Sequence, residues 1–253
     1  METQYKSEKS RQSYYEIMKK TDIFYLLENI PIVKLENNLN TLNFTVKPSD
    51  MQPVNGYEYR VKPSGCWRAP RPDAKGGFID PNGLISINSN RSCNDASDDE
   101  WWYDRADIGF LCGFYAPQRR AKVSIRPLWN IIESTVNLRT SDEFGFSSCY
   151  ADVAHYSYSS IVQKVGDKWS TIANFHEQIN RYTTSNTDFK ERPKTISNST
   201  YATICESPIV EAGAFLGLYA TMQGLFNIVL DDVSIESKLV VKANLISVDI
   251  YFS

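Results

Sequence analysis

The sequence predicts a mainly β protein: an antiparallel, jelly-roll-like β-sandwich with an amphipathic N-terminal helix and one or two further helices. Three observations carry this. Short apolar runs such as LNFTV, YEYRV and KVSIR alternate at period two and are set apart by proline and glycine. Aromatic residues reach 13%, with 15 Tyr and 12 Phe, a composition that suits pleated, half-buried strands. The length of 253 residues, 42% of them apolar, is enough for one large sandwich around a packed core. Residues 1–30 read as a helical arm and residues 31–253 as one domain, with a Pro/Gly-rich arm at 63–83.

Along the chain, Tyr14, Ile17, Met18, Phe24 and Tyr25 fall on one face at helical spacing. Lys19 and Lys20 lie on the other, and Pro31 stops the helix. Residues 32–61 read as short strands with turns. Residues 63–83, with four prolines and four glycines, are too punctuated for a regular element. After the acidic stretch, IGFLCGFYAP and AKVSIRPLWNIIESTVNLRT read as strands, with Pro127 at a bend or an edge. FGFSSCYADVAHYSYSSIVQKV reads as strand, residues 174–194 as a loop or short helix, and STYATICES as strand. Residues 209–223 fit a buried helix with Pro208 at its start and Gly224 as cap, or a hairpin turning near Gly213. Two strands, LFNIVLDDVSIE and SKLVVKANLISVDIYFS, close the chain.

The bulk chemistry narrows function. A formal charge of −3 argues against a nucleic-acid coat and leaves little repulsion against self-association. The five cysteines (Cys66, Cys93, Cys112, Cys149, Cys205) form no C-x-x-C, which speaks against a metal ribbon or redox pair and leaves room for one or two bridges. The first residues do not read as a signal peptide, so the three N-x-S/T matches are expected to be chance. Residues 209–230 approach membrane-spanning length, but Glu211, Gln223 and Asn227 favour a buried core element. His155 and His176 sit in no nucleophile or metal motif, and a structural role is expected for both. The reading is of a protein that is not an enzyme.

The most unusual segment is SCNDASDDEWWYDRAD, six acids against one base around a tryptophan pair. It lacks the glycine and alternating oxygen ligands of a calcium loop. It is read as a charged, aromatic surface of Asp98, Asp99, Glu100, Trp101, Trp102 and Tyr103, paired with the bases Arg119 and Arg120 in the same or a neighbouring subunit. Tyrosines held in such contacts would make the packing sensitive to alkali above pH ~10. Tyr14, Tyr15, Ile17, Met18, Phe24 and Tyr25 are the expected assembly contacts of the arm.

The order NDASDDEWWYDRADIGFLCGFYAPQRRAKVSIRP, with TVNLRT shortly after, resembles the central part of cypovirus polyhedrins, the proteins of viral occlusion crystals. Total length, the charged N-terminal helix and the tyrosine excess are also similar. The resemblance implies a β-sandwich core, a projecting helix, and trimers packed in a lattice around virions in the host-cell cytoplasm. It also implies alkaline dissolution and no catalysis. No cofactor is required, and bound nucleotide enters through the resemblance alone. No specific nucleic-acid or membrane partner is expected. A second segment, AFLGLYATMQGLFNIVLDDVSIES, resembles the closing strands of jelly-roll carbohydrate-binding modules, which implies a receptor-binding or capsid protein of a virus or phage. An exposed aromatic platform would support that alternative; a buried one would oppose it.

Overall fold

Period-two alternation becomes two facing antiparallel sheets. The computed structural model describes residues 30–34, 43–61, 77–93, 100–142, 148–231 and 233–253. Among them the early strands are β1 (Asn43–Val46), β2 (Gln52–Val61), β3 (Phe78–Ile79), β4 (Leu84–Cys93) and β5 (Glu100–Tyr115). The central ones are β6 (Ala121–Asp142), β7 (Ser148–Val165), β8 (Lys168–Thr184) and β9 (Lys194–Ala202). β10 (Cys205–Val210), β11 (Phe215–Asp231) and β12 (Val233–Phe252) complete the set.

One sheet has the order β2-β5-β11-β7-β8. The other has the order β10-β6-β12-β4-β3, with β1 added on β12 and β9 on β6. From β4 onward the chain passes repeatedly between them: β4, β6, β9, β10 and β12 go to the second sheet, and β5, β7, β8 and β11 to the first. The sandwich forms because each sheet turns one apolar face inward. On β5 these are Ile108, Phe110, Cys112 and Phe114; on β6 they are Val123, Ile125, Trp129 and Ile131; β12 contributes Leu239, Val241 and Leu245. Each large side chain removed from water in this way stabilises the fold by about 1.5–3 kcal/mol.

Several expectations need correcting. Residues 209–224 are not a helix. β10 ends at Val210, the chain turns at Gly213 with φ +68°, and β11 begins at Phe215. Nor do these strands form a hairpin, because β10 pairs with β6 and β11 with β5 and β7, so the turn carries the chain from one sheet to the other. Residues 174–184 belong to β8 and not to a loop or helix. Among the described residues the one helical piece is the 3-10 turn Pro48–Asp50. Within the Pro/Gly-rich segment, β3 pairs with β4 through a turn closed by Asp80 and Gly83, so that part is regular. Residues 62–76 and the whole expected N-terminal helix lie outside the described residues.

Pro127 does not stop β6 at a bend; it sits at a locally unpaired edge within the strand, the second of the two placements expected for it. β10 pairs within Ala121–Ile125 and β9 within Leu128–Val136, so Pro127 falls in the gap between two neighbours. A residue without an N–H is tolerated where no partner strand waits for one.

Two glycine substitutions test this account by thermal unfolding. Gly213→Ala is expected to cost about 1–2 kcal/mol, because a left-handed φ strains any L side chain. Gly109→Ala is expected to cost more than that: its Cβ would lie 2.0 Å from the Ala220 carbonyl oxygen, backbone that cannot step aside without breaking the β5–β11 pairing. Equal, small losses for both would contradict the register described above.

Candidate functional site on the outer face of the five-stranded sheet

The same alternation that sends Ala106, Ile108 and Phe110 inward sends Tyr103, Arg105 and Asp107 to the outer face of the five-stranded sheet. Register then assembles the neighbours. Asp107 lies beside Gln223 of β11, which lies beside Tyr156 of β7; the next row holds Thr221, Tyr158 and His176. A third row brings Leu111, Tyr219 and Ser160 together.

The centre is an ion pair. Arg105 Nη2 meets Asp107 Oδ2 at 2.6 Å, with side chains only 4% and 5% exposed. Burial works against the Arg105 charge, but Asp107 beside it, with help from Tyr103 and Tyr219, raises the guanidinium pKa above its ordinary value. Around the pair the rings form a connected wall. Tyr156 stacks on His176 with centroids 4.2 Å apart, and Tyr158 meets Tyr219 edge-on at 6.0 Å. Towards the far end, Phe215 lies between Trp169 at 5.3 Å and Tyr115 at 4.9 Å. A second ion pair, Arg181 with Asp152, is held by two hydrogen bonds of 2.7 and 2.8 Å at the more open β7–β8 edge.

Both histidines grip β11, one on each face. His176 Nε2 donates to Gln223 Oε1 at 2.9 Å on the outer face. On the inner face His155 Nδ1 lies 2.9 Å from Ser134 Oγ, and its Nε2 lies 3.2 Å from Met222 Sδ. Burial lowers the His155 pKa to about 3, and burial together with the Arg105 charge lowers that of His176 to about 4. Both are neutral at pH 7. Gln223, adjacent to Met222 in sequence, keeps a buried Nε2 with no hydrogen-bond partner.

The expected charged surface is placed differently from its reading. Glu100, Trp101, Trp102 and Tyr103 lie in the body of β5, with Glu100 opposite Leu230 and Trp102 opposite Ile228. Tyr103, Asp104 and Asp107 are buried, so this part of the stretch is sheet and not solvated surface. Asp107 pairs with Arg105 of its own strand. Arg119 and Arg120 sit exposed in the β5–β6 turn, where Arg120 meets Glu211 at 3.1 Å. Asp98 and Asp99, and with them Tyr14, Tyr15, Ile17, Met18, Phe24 and Tyr25, lie outside the described residues. Cys112, Cys149 and Cys205 are free and buried; burial raises all three thiol pKa values, those of Cys149 and Cys205 to about 12. Among the described residues no three His, Cys, Asp or Glu side chains gather as a metal site.

Sequence reasoning missed Arg105, Asp107, Tyr158, Tyr219 and Gln223 as a group. The available signal was the i, i+2 spacing of Tyr103, Arg105 and Asp107, interleaved with apolar Ala106 and Ile108. Comparison with protein-family models, with curated proteins and with solved structures gives no match.

Two predictions follow from this geometry. Asp107→Ala leaves a buried cation without its nearest anion and is expected to destabilise the fold by about 3–5 kcal/mol, read from denaturant unfolding. A loss below about 1 kcal/mol, the range of exposed pairs, would mean that the pair is open to water.

The second prediction concerns pH. Unfolded histidine titrates near ~6.5, so below that pH the unfolded chain takes up protons that the folded chain refuses. Stability therefore falls as pH drops from about 6.5 towards 4, by up to about 1.4 kcal/mol per unit for each histidine. Tyrosine acts at the other end. Burial raises the pKa of Tyr158, and that of Tyr219 well above its ordinary value, so their contribution is complete below pH ~10 and is lost as pH rises past it. Unfolding free energy against pH should form a plateau between these limits. A flat curve from pH 7 down to 4 would show that the imidazoles are hydrated.

Proposed function

We propose that this chain is a structural, self-assembling jelly-roll protein, a subunit of a viral shell or occlusion-type matrix that works by packing against copies of itself. The observation that carries this is the strand order. The set β4-β12-β6-β10 facing β5-β11-β7-β8 is the order of an eight-stranded jelly roll of two Greek keys, an architecture used by viral capsid and lectin domains. Between these two uses, the aromatic face favours the first. Tyr103, Tyr156 and Tyr219 are 1%, 9% and 2% exposed, so the central aromatics of the five-stranded sheet are not an open platform for a sugar.

Assembly draws further support from the side of the sandwich where β8, β9 and β10 run as edges. Phe175, Ile204 and Ile209 are exposed there. β8 and β10 are in contact with each other on that side, which brings the strands that carry or adjoin these residues together. Unpaired edges carrying apolar side chains are ready-made sites for another copy. The small net charge opposes such contact weakly.

Purified full-length chain is expected to form large ordered particles, seen by sedimentation velocity and electron microscopy. The double variant Ile204→Asp/Ile209→Asp should keep its unfolding temperature within a few degrees and raise the concentration needed for assembly at least tenfold. A wild-type chain that stays monomeric at tens of micromolar would overturn the proposal.

A further inference from the structure

At the end of the sandwich where β5 leaves for β6, a cleft of about 540 Å³ opens between Ile32, Phe44, Tyr115, Pro117 and Phe252, with Lys34 and Gln118 at its polar side. We propose that this cleft is a binding site for an anionic amphiphile, a molecule with an apolar chain ending in a carboxylate or comparable anion. The proposal does not depend on self-assembly.

The walls are built and held. Gly113 donates its N–H to the Pro31 carbonyl, and its carbonyl accepts from Val33 N–H, both at 2.8 Å, so the Ile30–Lys34 segment is fastened to β5 by its backbone. The packing here is close: a Cβ at Gly113 would lie 2.7 Å from Ile30 Cδ1 and 2.9 Å from Phe215 Cζ, so those side chains would have to shift. On the opposite side Phe252 is packed edge-on against Phe44 at 5.9 Å and Phe114 at 6.2 Å, which gives a rigid aromatic floor. Ser253 exchanges two backbone hydrogen bonds with Lys122 and ties that floor to β6.

The lining is nonetheless wet. Ile32 and Tyr115 are 51% and 54% exposed, although both border the cleft floor. Small-molecule sites are clefts of about 300–1,000 Å³ lined mainly by apolar and aromatic side chains with a few polar groups, and this cleft matches that description. The chemistry of the ligand follows from charge. Lys34 is the one charged side chain among the described lining residues, so the site offers an apolar trough with a single cation at its rim. A chain of methylenes can cover Ile32, Phe44 and Phe252 while its anion meets the Lys34 ammonium.

Isothermal titration with dodecanoate and with uncharged dodecanol, both below their aggregation limits, tests this. Expected is 1:1 binding of dodecanoate in the micromolar range and at least tenfold weaker binding of dodecanol. Lys34→Glu, a surface change that leaves the core intact, should weaken dodecanoate at least tenfold and dodecanol less than twofold. Phe44→Asp should weaken both; if it unfolds the chain, competition by dodecanoate for a fluorescent naphthalene sulfonate on the wild type replaces it. Equal affinity for acid and alcohol, no effect of Lys34→Glu, or no binding of either probe would each overturn the proposal.

Discussion

The five-stranded sheet depends on β11, because β11 is paired on both sides over nearly its whole length. From Leu216 to Leu230 it meets β5 on one edge and β7 on the other without a register shift. Both of its faces are covered as well, so Leu216 to Ile228 are all buried. A strand in that position needs side chains that tolerate burial on two faces, and the result is a nearly continuous apolar run. The candidate site inherits this. Tyr219, Thr221 and Gln223 form the middle of the polar–aromatic face because β11 is its central strand.

That constraint also explains which elements were legible in the sequence. β12 was readable because one face meets the core and the other meets water, so Leu239, Val241 and Leu245 alternate with exposed Lys238, Lys242 and Ile246. β6 was readable for the same reason. The segment 209–224 was misread because a doubly covered strand carries no period-two signal, and an apolar run of that length between Pro208 and Gly224 imitates a buried helix. Residues 174–184 were misread for the opposite reason: edge strand β8 is polar on much of both faces, with Asn174, Glu177 and Gln178 among its residues. Polarity there reflects an open edge and not a loop.

The site was less legible than the fold. Its members come from β5, β11, β7 and β8, and only the register brings Asp107, Gln223, Tyr156 and His176 into neighbouring positions. The acidic stretch drew attention by its charge, and charge normally indicates solvent. What distinguishes Arg105 and Asp107 from an ordinary surface pair is that the two are enclosed, which no spacing in the sequence states. The tyrosine excess was a truer guide, since Tyr103, Tyr156 and Tyr219 are buried on one face. Tyr103 was expected on a surface packed between subunits; the contacts described for all three join strands of a single chain.

The polar residues around β11 have a role that burial alone cannot fill. In a strand with one wet face, a slip of one residue turns apolar side chains outward and is penalised at once. In β11 both faces are buried, so a slip exposes little apolar surface, that penalty is small and the register needs another determinant. Polar anchors provide one. A one-residue slip would rotate Gln223 away from His176 and into the core, and would move Met222 away from His155 to the outer face. Gln223 would then join an interior where Ser157, Ser159, Trp129 and Thr203 already hold polar atoms without partners. Glycine acts in the same direction. At Gly224 an added Cβ would lie 2.7 Å from Leu239 Cδ2, so a slip that brings a larger residue to that position makes the Leu239 side chain of the facing sheet shift. Each unpaired buried group costs about 1–3 kcal/mol, and the slipped register would accumulate several such penalties at once. The buried histidines and Gln223 thus restrict the central strand to one alignment, which accounts for polar side chains in a part of the protein where apolar ones would pack as well.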